Sequence, residues 1–270
     1  MAGILFLVIA ATSGLAQAPV TEGLVNRWPG NGSAADASGH DDGKISGGVR
    51  YGQAPTGKAF QFNGADAMVQ FASASANFGK RDFTIAFWIK TASTRPAEAF
   101  VEKRVSCDAS APFWSLRLGG GVINGVPMPA GYIGLEVNAG GFDGLVSNFP
   151  DKTPRLEPLD NGHPNASIGL YSTRAINDGV WHHLAYVRQS TSSGTTIYLL
   201  YMDGTVENSL TVTLTADLHN SSAVVMGQTV CGSGDGTRPF SGAARELQLF
   251  NRAISAEEAA AIYNAGKSGK

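Results

Sequence analysis

Two histidines stand side by side behind a tryptophan in "INDGVWHHLAYVRQ", residues 176–189. Adjacent imidazoles are the residue types of metal ligation and of general base catalysis. Spacing decides how far that can go. The run 181–189 reads as a strand, and neighbours on a strand point to opposite faces. Trp181, His183, Ala185 and Val187 then share one side, and His182, Leu184, Tyr186 and Arg188 the other. His182 and His183 therefore cannot hold one ion or work as a dyad. The favoured reading is a pair of hydrogen-bonded structural histidines, His183 on the apolar side and His182 facing polar neighbours. The functional alternative makes His182 one wall of a binding site.

Carboxylates are the next candidates. Paired acids can break a glycosidic bond when both flank it, and Glu-x-Asp-x-x-Glu on one strand is the economical way to align them. No strand here has that pattern. Glu136 stands alone in "GLEVN", Glu246 stands alone in "RELQL", and Glu98 and Glu102 flank a short apolar run. A dyad drawn from separate strands stays open. His-Glu-x-x-His, Gly-x-Ser-x-Gly and phosphate-loop patterns are absent.

A binding surface has better support. On "FWSLRL" Phe113, Ser115 and Arg117 share a face, and on "YIGLEVN" Ile133, Leu135 and Val137 turn inward. If the core takes Trp114, then Arg117 and Glu136 line one outer surface, with Arg104 close by in "EKRVSCD". A planar guanidinium and a carboxylate suit sugar hydroxyls or an acidic glycan. The plain alternative is a solvated face carrying a weak Arg–Glu pair. Trp88 and Trp114 read as core.

The elements that must position these groups follow from composition. Glycine is abundant at 34 residues and charge is sparse at 16%, with short apolar runs divided by Gly, Asn, Asp and Ser clusters. That is the pattern of an all-β sandwich or barrel. Strands are expected at 58–64, 67–72, 82–91, 113–118, 132–138, 181–189, 196–204, 209–215, 223–228 and 245–251. Asp203-Gly204 supplies a hairpin turn. One helix is expected near the C-terminus, where Ser255 and Glu258 form a capping box and Gly266 ends it. Residues 139–178, rich in Gly, Pro, Asn and Asp, read as a long insertion draped over one face or edge.

The first eighteen residues, "MAGILFLVIAATSGLAQA", read as a secretory signal ending in an Ala-Gln-Ala cleavage site, leaving one domain over 19–270. Its apolar run is too short to span a bilayer, and no other stretch approaches that length. Export makes Cys107 and Cys231 expected disulfide partners, two buried free thiols being the alternative. A net charge of −2 without a Lys/Arg cluster gives nucleic acid or an anionic membrane no basic field to meet.

Five segments in chain order carry a resemblance. They are the opening "GLVNRWPGNGSAADASGHDDGKISGGVRYGQAPTGKAFQFNGADAMVQF", then "DFTIAFWIKT", "INDGVWHHLAYVR", "LYMDGTV" and the closing "FSGAARELQLFNRAISAEEAAAIYNAG". Together they resemble the laminin G-like jelly rolls of the concanavalin A-like lectin/glucanase superfamily over most of the chain after residue 18. The resemblance implies an all-β jelly-roll sandwich of two stacked antiparallel sheets, one concave, with a short C-terminal helix. It also implies a structural Ca²⁺ on carboxylates and carbonyls. Asp36, in "AADASGHDDG", is then the first candidate ligand and Asp66, in "NGADA", another. One departure argues against the ion. Relatives tend to read Leu-Asp-Glu where this chain has Ala244-Arg245-Glu246. The implied function is a secreted (or periplasmic) non-catalytic module that binds a carbohydrate or glycoconjugate, with Arg104, Arg117, Glu136 and His182 as ligand residues. A glycoside hydrolase or lyase of the same fold is one alternative, and a protein-interaction or adhesion module with an extracellular protein partner is another.

Overall fold

In the strand Phe83–Lys90 every residue but the last is buried, so both of its faces are covered. Phe83, Ile85, Phe87 and Ile89 enter the main apolar cluster, while Ala86 joins a smaller one on the reverse side. Period-two side-chain alternation thus serves two cores from one strand.

The computed structural model describes residues 19–268 apart from 73, 108–109, 121, 124–125, 141–143, 149–153, 159–166, 214 and 232–235. The expected signal segment 1–18 lies outside the described residues. Over the described residues the strands form two large sheets and one short hairpin. The first sheet has eight strands. It runs from Thr205–Val212 through Thr196–Met202, His182–Ser190, Phe83–Lys90, Ser241–Phe250 and Lys58–Asn63 to Arg50–Gln53, with Leu24–Trp28 also paired to Ser241–Phe250. The second has ten. Its centre is the series Ser167–Tyr171, Ile133–Ala139, Pro112–Leu118, Glu98–Lys103 and Val224–Met226.

The main core lies between the sheets. Ile85, Phe87, Leu184, Tyr186 and Leu247 from the first sheet meet Phe100, Trp114, Leu116, Leu135 and Val137 from the second. Trp114 is fully buried there, as the sequence suggested. Burying such side chains is worth roughly 1.5–3 kcal/mol each and is what stacks the sheets. Tyr186 also crosses the layer, its hydroxyl donating to the Ile133 carbonyl at 3.0 Å.

The smaller core sits under the helix Ala256–Ser268, where Ala259 and Ile262 cover Ala86, Ala185, Val187 and Phe250. The capping box forms: Glu258 N–H donates to Ser255 Oγ at 3.2 Å and Ser255 N–H to Glu258 Oε2 at 2.8 Å. Gly266 does not end this helix, which continues to Ser268. A Cβ at Gly266 would strike the Trp88 indole, so glycine serves close packing there rather than termination. Asp203 and Gly204, at φ 52° and 82°, make the expected hairpin turn between Thr196–Met202 and Thr205–Val212.

The 139–178 reading needs refinement. Gly144–Asn148, Pro154–Pro158 and Ser167–Tyr171 are strands that extend the ten-stranded sheet to its edge. The strand Glu98–Lys103, not expected from the sequence, is central to that sheet. The cysteines pair as Cys107–Cys231, with 4.9 Å between their Cα atoms.

Candidate functional site

The core claims Trp114, Leu116 and Leu118 of the strand Pro112–Leu118, so Phe113, Ser115 and Arg117 face away from it. On the neighbour Ile133–Ala139, Glu136 and Asn138 face the same way, Glu136 opposite Ser115 and Asn138 opposite Phe113. On the other side Glu102 also stands opposite Ser115. Three adjacent strands thus put Glu102, Ser115 and Glu136 in one row, with Arg117 one step along. Strand neighbours lie ~4.8 Å apart, so the two glutamates stand roughly 10 Å apart at the backbone.

The array is tied together from below and beside. Arg117 Nε lies 3.7 Å from Glu136 Oε2, and both side chains are largely covered, at 14% and 15% exposure. Tyr171 donates its hydroxyl to Glu136 Oε1 at 2.8 Å. Burial first, then the Glu136 charge, push the tyrosine pKa well up, so it remains the donor. The Tyr171 ring lies across Gly134, where any Cβ would collide with it. Glycine is required there by close approach.

Glu102 is almost fully buried and receives the Val230 N–H on Oε1 at 2.8 Å. Burial raises its pKa, against the opposing pull of that N–H and of Arg117 and Arg104. Val230 precedes Cys231, so the disulfide holds this loop segment over the glutamate. Arg104 lies over the Phe113 ring, its Cζ 4.0 Å from the centroid, and donates to the Ser106 and Cys107 carbonyls at 2.7 Å each. The structure therefore brings Arg104, Arg117 and Glu136 into one neighbourhood. Two further members, Glu102 and Tyr171, were missed. Glu102 sits on an unrecognised strand, and Tyr171 at the end of the segment read as an insertion.

His182 is elsewhere. It lies in the eight-stranded sheet, on the side of Leu184 and Tyr186, between two carboxylates. Nδ1 is 3.0 Å from Asp203 Oδ2, and Nε2 is 3.2 Å from both oxygens of Asp178. The Asp203 hydrogen bond chiefly raises its pKa. His183 turns the other way, 5.3 Å from the Trp88 ring, and burial lowers its pKa to about 4. The opposite-face reading is what the backbone does, but it removes His182 from the Arg117 cluster.

The carboxylates named for calcium are already engaged. Asp36 Oδ1 accepts the Arg27 and Ser38 N–H groups, and Oδ2 accepts the Asn26 amide and the His40 and Asp41 N–H groups. Burial alone would raise its pKa; these donors hold it below the ordinary value. Asp66 accepts the Asn63 amide and the Gly48 N–H. Among the described residues no three His, Cys, Asp or Glu side chains converge on one point. Donors aimed at both oxygens of Asp36 do not fit a hard cation. Arg245 itself is buried, with its guanidinium on the carbonyl oxygens of Gly266 and Thr56.

Domain 4 of AbnA, a GH43 extracellular arabinanase from Geobacillus stearothermophilus solved with arabinotriose, is similar over 88% of this chain and 96% of that domain. The identity is 16% and the TM-score 0.57. The binding domain of Paraclostridial Mosquitocidal Protein 1 is similar over 90% of this chain at 15% identity and TM-score 0.57. The receptor binding domain of botulinum neurotoxin D is similar over 90% at 11% and 0.56. This chain spans only 52% of each of those two toxin domains. At such identities the likeness is one of fold. No curated protein sequence matches. A family model described as the concanavalin A-like lectin/glucanases superfamily matches residues 63–260. Two stacked antiparallel sheets and a match over most of its length show that the chain belongs to that superfamily.

Proposed function

We propose that the chain is an exported, non-catalytic module that binds carbohydrate or glycoconjugate on the outer face of its ten-stranded sheet, around Arg117, Glu136 and Arg104. The observation that carries this reading is the Arg117–Glu136–Tyr171 array on adjacent, rigid strands. A guanidinium fork and a carboxylate held at fixed separation offer donors and acceptors to neighbouring hydroxyls. Groups mounted on strands and locked by their own hydrogen bonds lose little entropy when a sugar docks. The arabinanase domain solved with arabinotriose, matched over nearly its whole length, supports the same reading. So does the disulfide, which accords with an oxidising compartment. No helix among the described residues is long and apolar enough to cross a membrane.

The experiment is a glycan array on the purified chain, repeated with chelator. Binding that is lost in Arg117→Ala and Glu136→Ala, and kept with chelator, is the expected result. Silence on every glycan would favour a protein partner.

One observation favours a second reading, an inverting glycosidase. Glu102 and Glu136 face each other across Ser115. Inverting enzymes hold their carboxyl groups about 6.5–9.5 Å apart, a range within reach of that row. Burial raises the Glu102 pKa, which is the direction a general acid needs. Release of reducing sugar from a polysaccharide panel, abolished by Glu102→Gln, would replace the binding reading with this one.

A further inference from the structure

A cavity lies on the far side of the sandwich from Arg117. It measures about 310 Å³ and is enclosed by the outer face of the eight-stranded sheet, the segment Pro19–Thr21 and the C-terminal helix. Leu24, Ala261 and Ile262 give it an apolar wall, and Arg27, Arg245, Glu246 and Gln248 a polar one.

Among the described residues that line the polar wall, two arginines face one glutamate. Glu246 is committed to Arg27, which donates to it twice, from Nε at 2.7 Å and Nη2 at 3.0 Å. Arg245, its chain neighbour, is 2% exposed and among the described residues donates only to neutral oxygens: the Gly266 carbonyl at 2.7 Å, and the Thr56 carbonyl and hydroxyl. Its guanidinium also lies over Trp88, 5.1 Å from the ring centroid. Arg245 Nε has no acceptor among the described residues, and Gln248 Oε1 no donor. Buried charge is ordinarily matched by a counter-charge. Here the nearby acid, Glu246, acts on Arg245 through space but accepts its hydrogen bonds from Arg27. The strand slips register between Arg245 and Gln248, and Glu246 in that bulge takes φ 54°, a left-handed conformation costly for a non-glycine residue. The strained bulge sends the carboxylate to Arg27, so among the described residues Arg245 has no carboxylate hydrogen-bonded to it at the cavity.

We propose that this cavity binds a small organic carboxylate, either a free acid or the uronic acid end of a glycan, its carboxylate against Arg245 and its body against Leu24 and Ile262. The volume is at the lower end of ligand pockets, roughly 300–1,000 Å³, so one sugar-sized unit fits and a chain does not. A guanidinium–carboxylate contact away from bulk water supplies the counter-charge. This site stands or falls separately from the sheet face around Arg117.

Calorimetric titration of the purified chain with glucuronate, hexanoate and glucose tests it. Binding of either acid at millimolar concentration is expected, with none of glucose, and the acid that binds tells a glycan end from a free aliphatic acid. Arg245→Gln should weaken that binding at least about tenfold. Because this change touches a buried group, a second variant is needed. Ala265→Trp, at an exposed helix position lining the cavity, should block entry with the circular dichroism unchanged. The proposal is overturned if neither acid gives heat, if glucose binds as well as the acids, or if binding survives Ala265→Trp.

Discussion

Replacing His183 by Phe should make the protein less sensitive to acid. The His183 imidazole is 1% exposed, packed between Trp88 and Tyr263, and its Nδ1 has no hydrogen-bond partner among the described residues. Burial pushes its pKa down to about 4; Asp203 opposes that shift and Arg245 adds to it. An unfolded histidine titrates near about 6.5. Between those values the unfolded chain takes up a proton that the folded chain refuses, so stability falls as pH falls. From about pH 7 to about pH 5 the loss comes to about 2 kcal/mol, or roughly 4–8 °C in Tm for a chain of this size. His182 has the opposite sign. Asp203 and then Asp178 raise its pKa, so its contribution is complete below about 6.5 and fades as pH rises through the folded value. Since His182 is untouched in His183→Phe, the difference between variant and parent isolates position 183. Phenylalanine keeps the ring packing and removes an unpaired polar atom, so at neutral pH the two should agree within about 1 kcal/mol. Thermal melts followed by circular dichroism at a series of pH values give the test. The variant should gain on the parent by roughly 4–8 °C as pH drops across that window. A Tm difference that stays constant with pH would refute the account.

Other expectations are simpler. Gly134→Ala should drive the Tyr171 ring off Glu136 and cost about 1–3 kcal/mol, with glycan binding lost alongside stability; a variant that melts like the parent would contradict the packing described. Glu136→Ala leaves the largely covered Arg117 without this carboxylate and should cost about 2 kcal/mol in denaturant unfolding, whereas an unchanged midpoint would mean the pair is solvated after all. The Cys107–Cys231 bond closes a loop of sequence separation 124, and the double Ser variant should lose about 3–5 kcal/mol relative to the oxidised parent. Adding chelator should leave the parent's Tm where it was. A drop would restore calcium to the account and would require donors other than those around Asp36.

Much of this protein is legible along the chain. Alternation in "DFTIAFWIKT" and "WHHLAYVRQ" fixes which side chains face which way, because period two is a property of the extended backbone itself. It separated His182 from His183, put Arg117 with Glu136 outside the core, and sent Trp114 into it. The Ser255–Glu258 box and the Asp203-Gly204 turn are equally local, since every atom they use lies within a few residues. What tertiary structure decided is which strands become neighbours. "EAFVEK" hides as a strand because Glu98, Glu102 and Lys103 are charged, and only burial on both faces in a sheet centre makes sense of it. That placement set Glu102 across Ser115 from Glu136 and took His182 into the other sheet. It also filled both oxygens of Asp36 with N–H donors and left Arg245 at a cavity whose walls come from both ends of the chain. Pairing across a sheet joins residues distant in sequence, and its free energy comes from the burial that the whole sandwich provides.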